Sequence, residues 1–246
     1  MILELDCGNS FIKWRVVSDA DGALVVGGIA ALAVDLLQDL HNADISTITR
    51  CRMVSVRDDA ETSALTDVLS GELGVEVLKV SPAKHVAGVV NGYKEQDRLG
   101  LDRWLAIIAA YEMCKGPCLI IDLGTAVTID LVDCNGAHLG GYIAPGLALL
   151  RGQLLAHTRR IQYDPALSSV ALSDITPGRD TAEGVERGCL IMLRSYVTSQ
   201  IGIAGDHLGK NFTIYVTGGD AALVADIPRV RCVPDLVFRG LAIACP

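Results

Sequence analysis

The sequence predicts an α/β protein built from two similar halves, and three observations carry that prediction. The first is an internal repeat, in which Leu3-Glu4-Leu5-Asp6-Cys7-Gly8-Asn9-Ser10 resembles Leu119-Ile120-Ile121-Asp122-Leu123-Gly124-Thr125-Ala126. The second is the same succession after each copy: an apolar stretch, a turn ending in Asp21-Gly22 or Asn135-Gly136, and another apolar stretch. Asp-Gly and Asn-Gly supply the positive φ that tight hairpin turns need, so each half opens with strand, turn, strand, turn, strand. The third is the alternation of amphipathic segments with further apolar strands, the pattern of helices layered on a sheet.

Taken in order, the first half reads as strands at residues 11–17 and 23–29, a helix at 31–40 and a strand at 48–54. A helix at 60–73, a strand at 75–80 and an all-round apolar helix at 102–114 complete it. Lys115-Gly116-Pro117 breaks the pattern, which divides the chain into domains at residues 1–115 and 116–246. The second half continues with strands at 127–132 and 138–143, helices at 147–156 and 181–202, and a strand at 212–216. A segment at 218–224 and an apolar stretch at 236–244 close the chain. Leu147, Leu149, Leu150, Leu154 and Leu155 give their helix more apolar surface than one core-facing stripe needs.

Composition narrows the function classes. The 246 residues are half hydrophobic and only 4% aromatic, so the cores are built from Ala, Val, Leu and Ile. The formal net charge of −8, without a basic stripe, argues against a nucleic-acid or membrane-surface partner. Any anion site must therefore be local. The eight cysteines stand singly in apolar surroundings with no CxxC pair, which reads as reduced core cysteines of a cytoplasmic protein. Glu4 and Asp6 interrupt the first apolar run, against a signal peptide, and no apolar stretch is long enough to span a bilayer. The five histidines lack metal-ligand spacing, which argues against a zinc site.

Three motifs carry chemistry. In Asp6-x-Gly8-Asn9-Ser10 an acidic residue ends a strand and a small polar turn comes next, able to present N–H groups and a hydroxyl to phosphate. Lys13, on the returning strand, is within reach of a terminal phosphate, and the carboxylate suits a magnesium-bound water. One such turn is usually plain turn geometry, but its recurrence at Asp122-x-Gly124-Thr125 favours a paired phosphate clamp. Thr217-Gly218-Gly219-Asp220 lets backbone approach a flat adenine or its ribose. Gly100-Leu101-Asp102-Arg103 places a carboxylate and a guanidinium at a helix start, where the dipole favours an ionised Asp. A phosphotransferase uses such a carboxylate to orient and deprotonate the acceptor hydroxyl. Without context, Asp102 would be an N-cap and Arg103 a solvated surface charge.

Context comes from a resemblance. The two repeated turns resemble the phosphate clamp of the acetate kinase, sugar kinase and actin superfamily. Gly100–Arg103, with Asp6–Trp14, Asp122–Thr128, Gly140–Gly146, Thr181–Gly184 and Thr217–Gly219, resembles type III pantothenate kinases over nearly the whole chain. The resemblance implies duplicated actin-like (ribonuclease H-like) domains, each a mixed sheet with helices, around a central nucleotide cleft. It implies ATP-dependent phosphorylation of pantothenate, the first step of coenzyme A synthesis, with Asp102 as base. Asp6, Cys7, Gly8, Asn9, Ser10, Phe11, Ile12 and Lys13, with Thr125, are then the ATP and phosphate residues. Tyr93, Gly100, Leu101, Asp102, Arg103 and Thr181 line the pantothenate pocket, and Asp122 holds a monovalent cation, potassium or ammonium, beside the magnesium. A homodimer is implied too, with His157, Thr158 and Arg159 completing the partner's pocket. Ser10, Leu101, Gln96 and Asp180 depart from the usual pattern without removing a charged or hydroxyl group the mechanism needs. The alternatives are another small-molecule kinase or a polyphosphate phosphatase of this fold, or a non-catalytic nucleotide-binding regulator.

Overall fold

The computed structural model describes residues 1–45, 47–172 and 175–246. The first half runs β1 (Ile2–Cys7), β2 (Ile12–Val17), β3 (Leu24–Ala30), α1 (Ala33–Asn42), β4 (Arg50–Ser55), α2 (Asp59–Leu73) and β5 (Val77–Lys79). A short ribbon, β6 (His85–Val86) and β7 (Val89–Val90), precedes α3 (Leu101–Cys114). The second half runs β8 (Cys118–Leu123), β9 (Ala126–Val132), β10 (His138–Pro145), α4 (Leu147–His157), α5 (Ser168–Ala171), α6 (Thr181–Leu208), β11 (Thr213–Thr217), β12 (Val230–Cys232) and α7 (Leu236–Ala244). Packing groups the chain into two compact units, Met1–Met113 with Asp235–Pro246, and Cys114–Pro234.

The sequence repeat becomes a repeat of topology. Among the described residues each unit holds a five-stranded sheet, ordered β3-β2-β1-β4-β5 in one and β10-β9-β8-β11-β12 in the other. In both, the strand carrying the acidic motif is central, antiparallel to the next strand and parallel to one further on. A central strand is covered on both faces, and β8 is accordingly a nearly continuous apolar run, whereas β1 alternates its apolar side chains with Glu4 and Asp6. Leu3, Leu5 and Cys7 of β1 are fully buried, as are Leu119, Ile121 and Leu123 of β8. In the first unit they pack with Ile12, Trp14 and Val16 of β2, Leu36 of α1 and Leu69 of α2.

The other face of β1 is polar and explains where the chain ends. Glu4 is fully buried between its two cross-strand neighbours, Arg15 and Arg52. Arg15 Nε bonds to one carboxylate oxygen, and Arg52 Nε donates to the other at 2.7 Å. Arg52 Nη1 also donates to the Cys245 carbonyl at 2.7 Å, while Arg15 bonds Asp235 at 3.0 Å and stacks on Phe238 at 4.8 Å. These contacts hold α7 against β1 and β4. Gly240 of α7 touches the Leu105 backbone so closely that a Cβ would collide with it. Residues 236–244, grouped by the sequence division with the second half, therefore pack with the first unit.

Other differences from the sequence reading have local causes. The helix read at 181–202 runs on to Leu208. Gly202 and Gly205 each cost about 1 kcal/mol in a helix interior, but Leu193, Val197 and Ala204 are buried in the second core and hold the segment helical. The stretch at 218–224 forms only a short 3-10 turn, Ala221–Val224. Cys134 and Cys232, expected in the core, are exposed. No helix among the described residues is long and apolar enough to cross a membrane.

Candidate active site

In the first unit the turn after β1 is framed by strand register. Asp6 pairs directly with Lys13, and Cys7 with Ile12, so four residues, Gly8 to Phe11, form the loop between them. Asn9, Ser10 and Phe11 are exposed, whereas the Cys7 and Ile12 side chains belong to the core and leave only their backbone groups for the turn. Burial pushes the Asp6 carboxyl up to about 6; Lys13 opposes that rise and the Asp102 carboxylate adds to it. The structure therefore brings Asp6, Lys13 and Asp102 into one electrostatic cluster. Arg57, not singled out from the sequence, donates from Nε to the Gly8 carbonyl at 2.9 Å and steadies the turn.

Asp102 stands in the first turn of α3, with Oδ1 accepting from the Arg103 amide at 2.7 Å. A Cβ on Gly100 would lie 2.7 Å from that same oxygen, so only glycine leaves the carboxylate its place. Arg103 is not a solvated charge. It is 7% exposed, donates to the Tyr93 hydroxyl at 2.7 Å and lies over the Tyr93 ring at 5.6 Å. Tyr93 is in turn placed by Asn91, buried at 1% exposure, whose Oδ1 accepts from the Tyr93 amide at 3.0 Å. Asn91 Nδ2 donates to the Gln96 carbonyl at 3.2 Å, which ties the substitution at Gln96 into the same loop. The Asn91-Gly92 dipeptide was the available turn signal for this organiser.

The second unit assembles its own set of turns. Asp122 pairs with Thr128 across β9 and with Thr217 across β11, so the two glycine-bearing strand ends lie side by side. Gly218 has φ 94°, and a Cβ there would come within 2.5 Å of Asp122 Oδ1. The Asp220 amide donates to the Leu123 carbonyl at 3.0 Å, locking one turn onto the other. Thr125 is exposed at the tip, and its carbonyl accepts from the Gly146 amide at 3.0 Å, so the start of α4 rests on it. Thr181 begins α6, capped by Asp180, whose side chain accepts from the Glu183 amide at 2.8 Å. Asp and Asn cap helices about equally, so Asp180 does the work of the more usual Asn. From Thr181 an apolar groove runs along α6, lined by Val185, Cys189 and Met192 and by Leu154 and Ile161.

Each unit thus presents small polar turns and a strand-end carboxylate of the kind that binds phosphate and cations. Comparison with known proteins supplies the family. The model of the family "Type III pantothenate kinase" matches residues 2–202. A type III pantothenate kinase of Pseudomonas savastanoi pv. phaseolicola is 55% identical over 247 residues, covering 100% of this chain and 99% of that protein. One from Azotobacter vinelandii is 54% identical over 253 residues with the same coverage. Among solved structures, a putative Baf family transcriptional activator from Campylobacter jejuni aligns over 98% of this chain and 96% of its own, with TM-score 0.60 and 20% identity. The activator of 2-hydroxyisocaproyl-CoA dehydratase from Clostridium difficile, solved with ADPNP, aligns over 99% and 92%, with TM-score 0.52 and 11% identity. These likenesses establish the actin-like fold of ATPases and sugar kinases. A whole-chain match at this identity establishes more: the chain belongs to the type III pantothenate kinase family, enzymes that phosphorylate pantothenate in coenzyme A synthesis.

Proposed function

We propose that Asp102 is the base through which this family member transfers the γ-phosphoryl group of ATP to the primary hydroxyl of pantothenate. The observation that carries the assignment is the cluster of Asp6, Lys13 and Asp102 at one strand end. Phosphoryl transfer needs positioning and charge stabilisation more than covalent help. Lys13 and the Gly8–Ser10 amides hold the terminal phosphates, with Asn9 and Ser10 supplying side-chain contacts, and Thr125 is the ATP contact of the second unit. Gly100 keeps the Asp102 carboxylate in place to orient the hydroxyl and accept its proton late in the transfer. Tyr93, Leu101, Arg103 and Thr181 shape the pantothenate pocket, with Arg103 fixed by Tyr93 rather than free to wander. Residues 1–115 and 116–246 are the two functional domains of this reading, with α7 returned to the first.

Two cations fit the residues present. At Asp6 burial outweighs the single lysine, so a magnesium ion with its water shell would supply positive charge there. Asp122, at the junction of two turns rich in backbone carbonyls, suits potassium or ammonium. Among the described residues no three His, Cys, Asp or Glu side chains converge as a metal cage. Either ion would therefore have one carboxylate here and draw otherwise on water, backbone and phosphate oxygens. A homodimer is supported by the outer face of the α4–α6 pair. Leu149, Ile191 and Met192 are 39%, 46% and 59% exposed there, and Gly184 and Gly188 leave the groove floor open. A cytoplasmic enzyme is in keeping with a coenzyme A precursor as substrate.

Asp102→Asn is expected to fold normally and to lose about 10²–10⁴ in kcat, measured as ADP release dependent on pantothenate. Near-normal turnover in the folded variant would remove Asp102 from the role of base. At matched ionic strength, rates in potassium or ammonium should exceed those in sodium; equal rates would strike out the cation at Asp122. Light scattering should return about twice the 26.0 kDa chain mass, falling toward one chain for Met192→Glu. A monomeric parent protein would end the dimer proposal.

Asp6 makes a separate prediction about stability. Its folded pKa, about 6, lies above the ordinary carboxyl value of 3.8, so the folded state holds the proton more tightly than the unfolded one. Folding free energy is therefore lost as pH rises from about 4 through 6, and the loss is complete above that. The difference corresponds to at most about 3 kcal/mol, less to the extent that water reaches the carboxylate. In magnesium-free buffer Asp6→Asn should be inactive yet more stable than the parent at pH 8, with the gap closing toward pH 4. Both tryptophans, Trp14 and Trp104, lie in the first unit, so fluorescence-detected denaturation reads it directly. An Asn variant less stable at pH 8 would contradict the burial of a costly charge.

A further inference from the structure

Cys114 ends α3 and Cys118 opens β8, where the chain passes from the first unit into the second. Lys115 between them has φ 48°, a left-handed conformation uncommon outside glycine, and the turn it makes folds the Cys114 side chain back. The two thiols meet in a hydrogen bond, Cys114 Sγ lies 3.2 Å from the Gly116 carbonyl oxygen, and Tyr215 of β11 bonds to Cys114 as well. Their exposures differ. Cys118 is fully buried, whereas Cys114 is half-buried and opens onto a surface pocket of about 390 Å³ lined also by Lys210, Asn211 and Arg229. Arg229 is fixed at the rim: it donates to the Phe212 carbonyl at 2.9 Å and to that of Lys210 at 3.2 Å, and stacks on the Phe212 ring at 4.7 Å.

Nothing in pantothenate phosphorylation uses this arrangement. We propose that Cys114 and Cys118 form an oxidant-reactive dithiol, in which Cys114 is attacked by a small peroxide entering the cationic pocket and Cys118 resolves the product into an intramolecular disulfide. Burial alone drives cysteines the other way, as at Cys7 and Cys51, both pushed up to about 12. At Cys114 the hydrogen bond from Cys118, joined by one from Tyr215, outweighs burial and lowers the thiol's pKa, which favours the nucleophilic thiolate.

The chemistry balances with hydrogen peroxide as oxidant. The Cys114 thiolate attacks one peroxide oxygen; the S–O bond forms, the O–O bond breaks, and hydroxide leaves. Once Cys114 is a neutral sulfenic acid, the Cys118 proton is no longer held by a neighbouring thiolate and passes to hydroxide. The Cys118 sulfur then attacks the sulfenic sulfur, the S–S bond forms, and the second oxygen leaves as hydroxide, taking up a proton to become water. In sum, two thiols lose two protons and two electrons, and one peroxide is reduced to two waters.

The test is titration of the reduced protein with about one equivalent of hydrogen peroxide, followed by intact mass and a non-reducing tryptic map. Trypsin cuts after Lys115, so the Cys114 and Cys118 peptides stay joined only through a disulfide. The expected result is loss of two hydrogens, a Cys114–Cys118 crosslinked peptide pair, and reversal by dithiothreitol. Cys118→Ser should leave a Cys114 sulfenic acid that dimedone traps, and Cys114→Ser should give neither product. A measurement on the unmutated protein guards against misfolded variants: iodoacetamide should alkylate Cys114 several-fold faster than the exposed Cys134 and Cys232. Unchanged mass, a link to any other cysteine, or faster labelling of Cys134 or Cys232 would overturn the proposal.

Discussion

Asp6 is held at the end of a strand whose neighbouring side chains are in the apolar core, and its charge there is opposed by burial and relieved chiefly by Lys13 across the hairpin. That tension governs the first unit. The hairpin register sets the pair, the pair defines the four-residue turn, and the turn presents its amides where the charge deficit calls for a cation and phosphate. Stability is given up at Asp6 so that ligand binding can recover it.

The second unit repeats the frame with a different cross-strand neighbour. Asp122 stands at the equivalent strand end, but its cross-strand partner is Thr128, and the nearby close approaches are the Gly218 and Leu123 backbones. Duplication has therefore kept the frame of a central strand, a hairpin and a strand-end carboxylate, while the residue across the hairpin has changed from Lys13 to Thr128. A lysine-balanced aspartate suits the strongly charged phosphate end.

Much of this was legible in the chain because local patterns carry it. The duplicated Asp-x-Gly turns, the two hairpins and the Gly100–Arg103 motif are contiguous in sequence, and the structure makes them strand ends and a helix start as expected. What escaped were residues defined by distant partners. Arg57 has meaning only against the Gly8 carbonyl, and Asn91 matters because it bonds the Tyr93 amide and the Gln96 carbonyl; Arg103 was named through the resemblance, but its burial against Tyr93 could not be read from spacing. The packing of α7 was equally unreadable. Proximity in sequence placed it with the second half, while the buried charge of Glu4 and the arginines around it gave the helix a reason to return to the first.

That return bears on catalysis through α3. The helix carries Asp102 in its first turn, and Leu105, one turn on, is fully buried where Gly240 of α7 presses against its backbone. Side chains from Arg103 to Ala110 are all buried, so the helix has no freedom to roll or slide. The carboxylate needs no long side chain to be aimed, because the segment beneath it is fixed by packing and Gly100 clears the space beside it. A carboxylate on so short a side chain is as precise as its backbone, and here that backbone packs against α7, whose end is tied through Arg52 to the buried Glu4 on the central strand that also carries Asp6. The two acidic groups of the first unit are thus positioned by one continuous packed body, which is the condition for a pre-organised phosphoryl-transfer site.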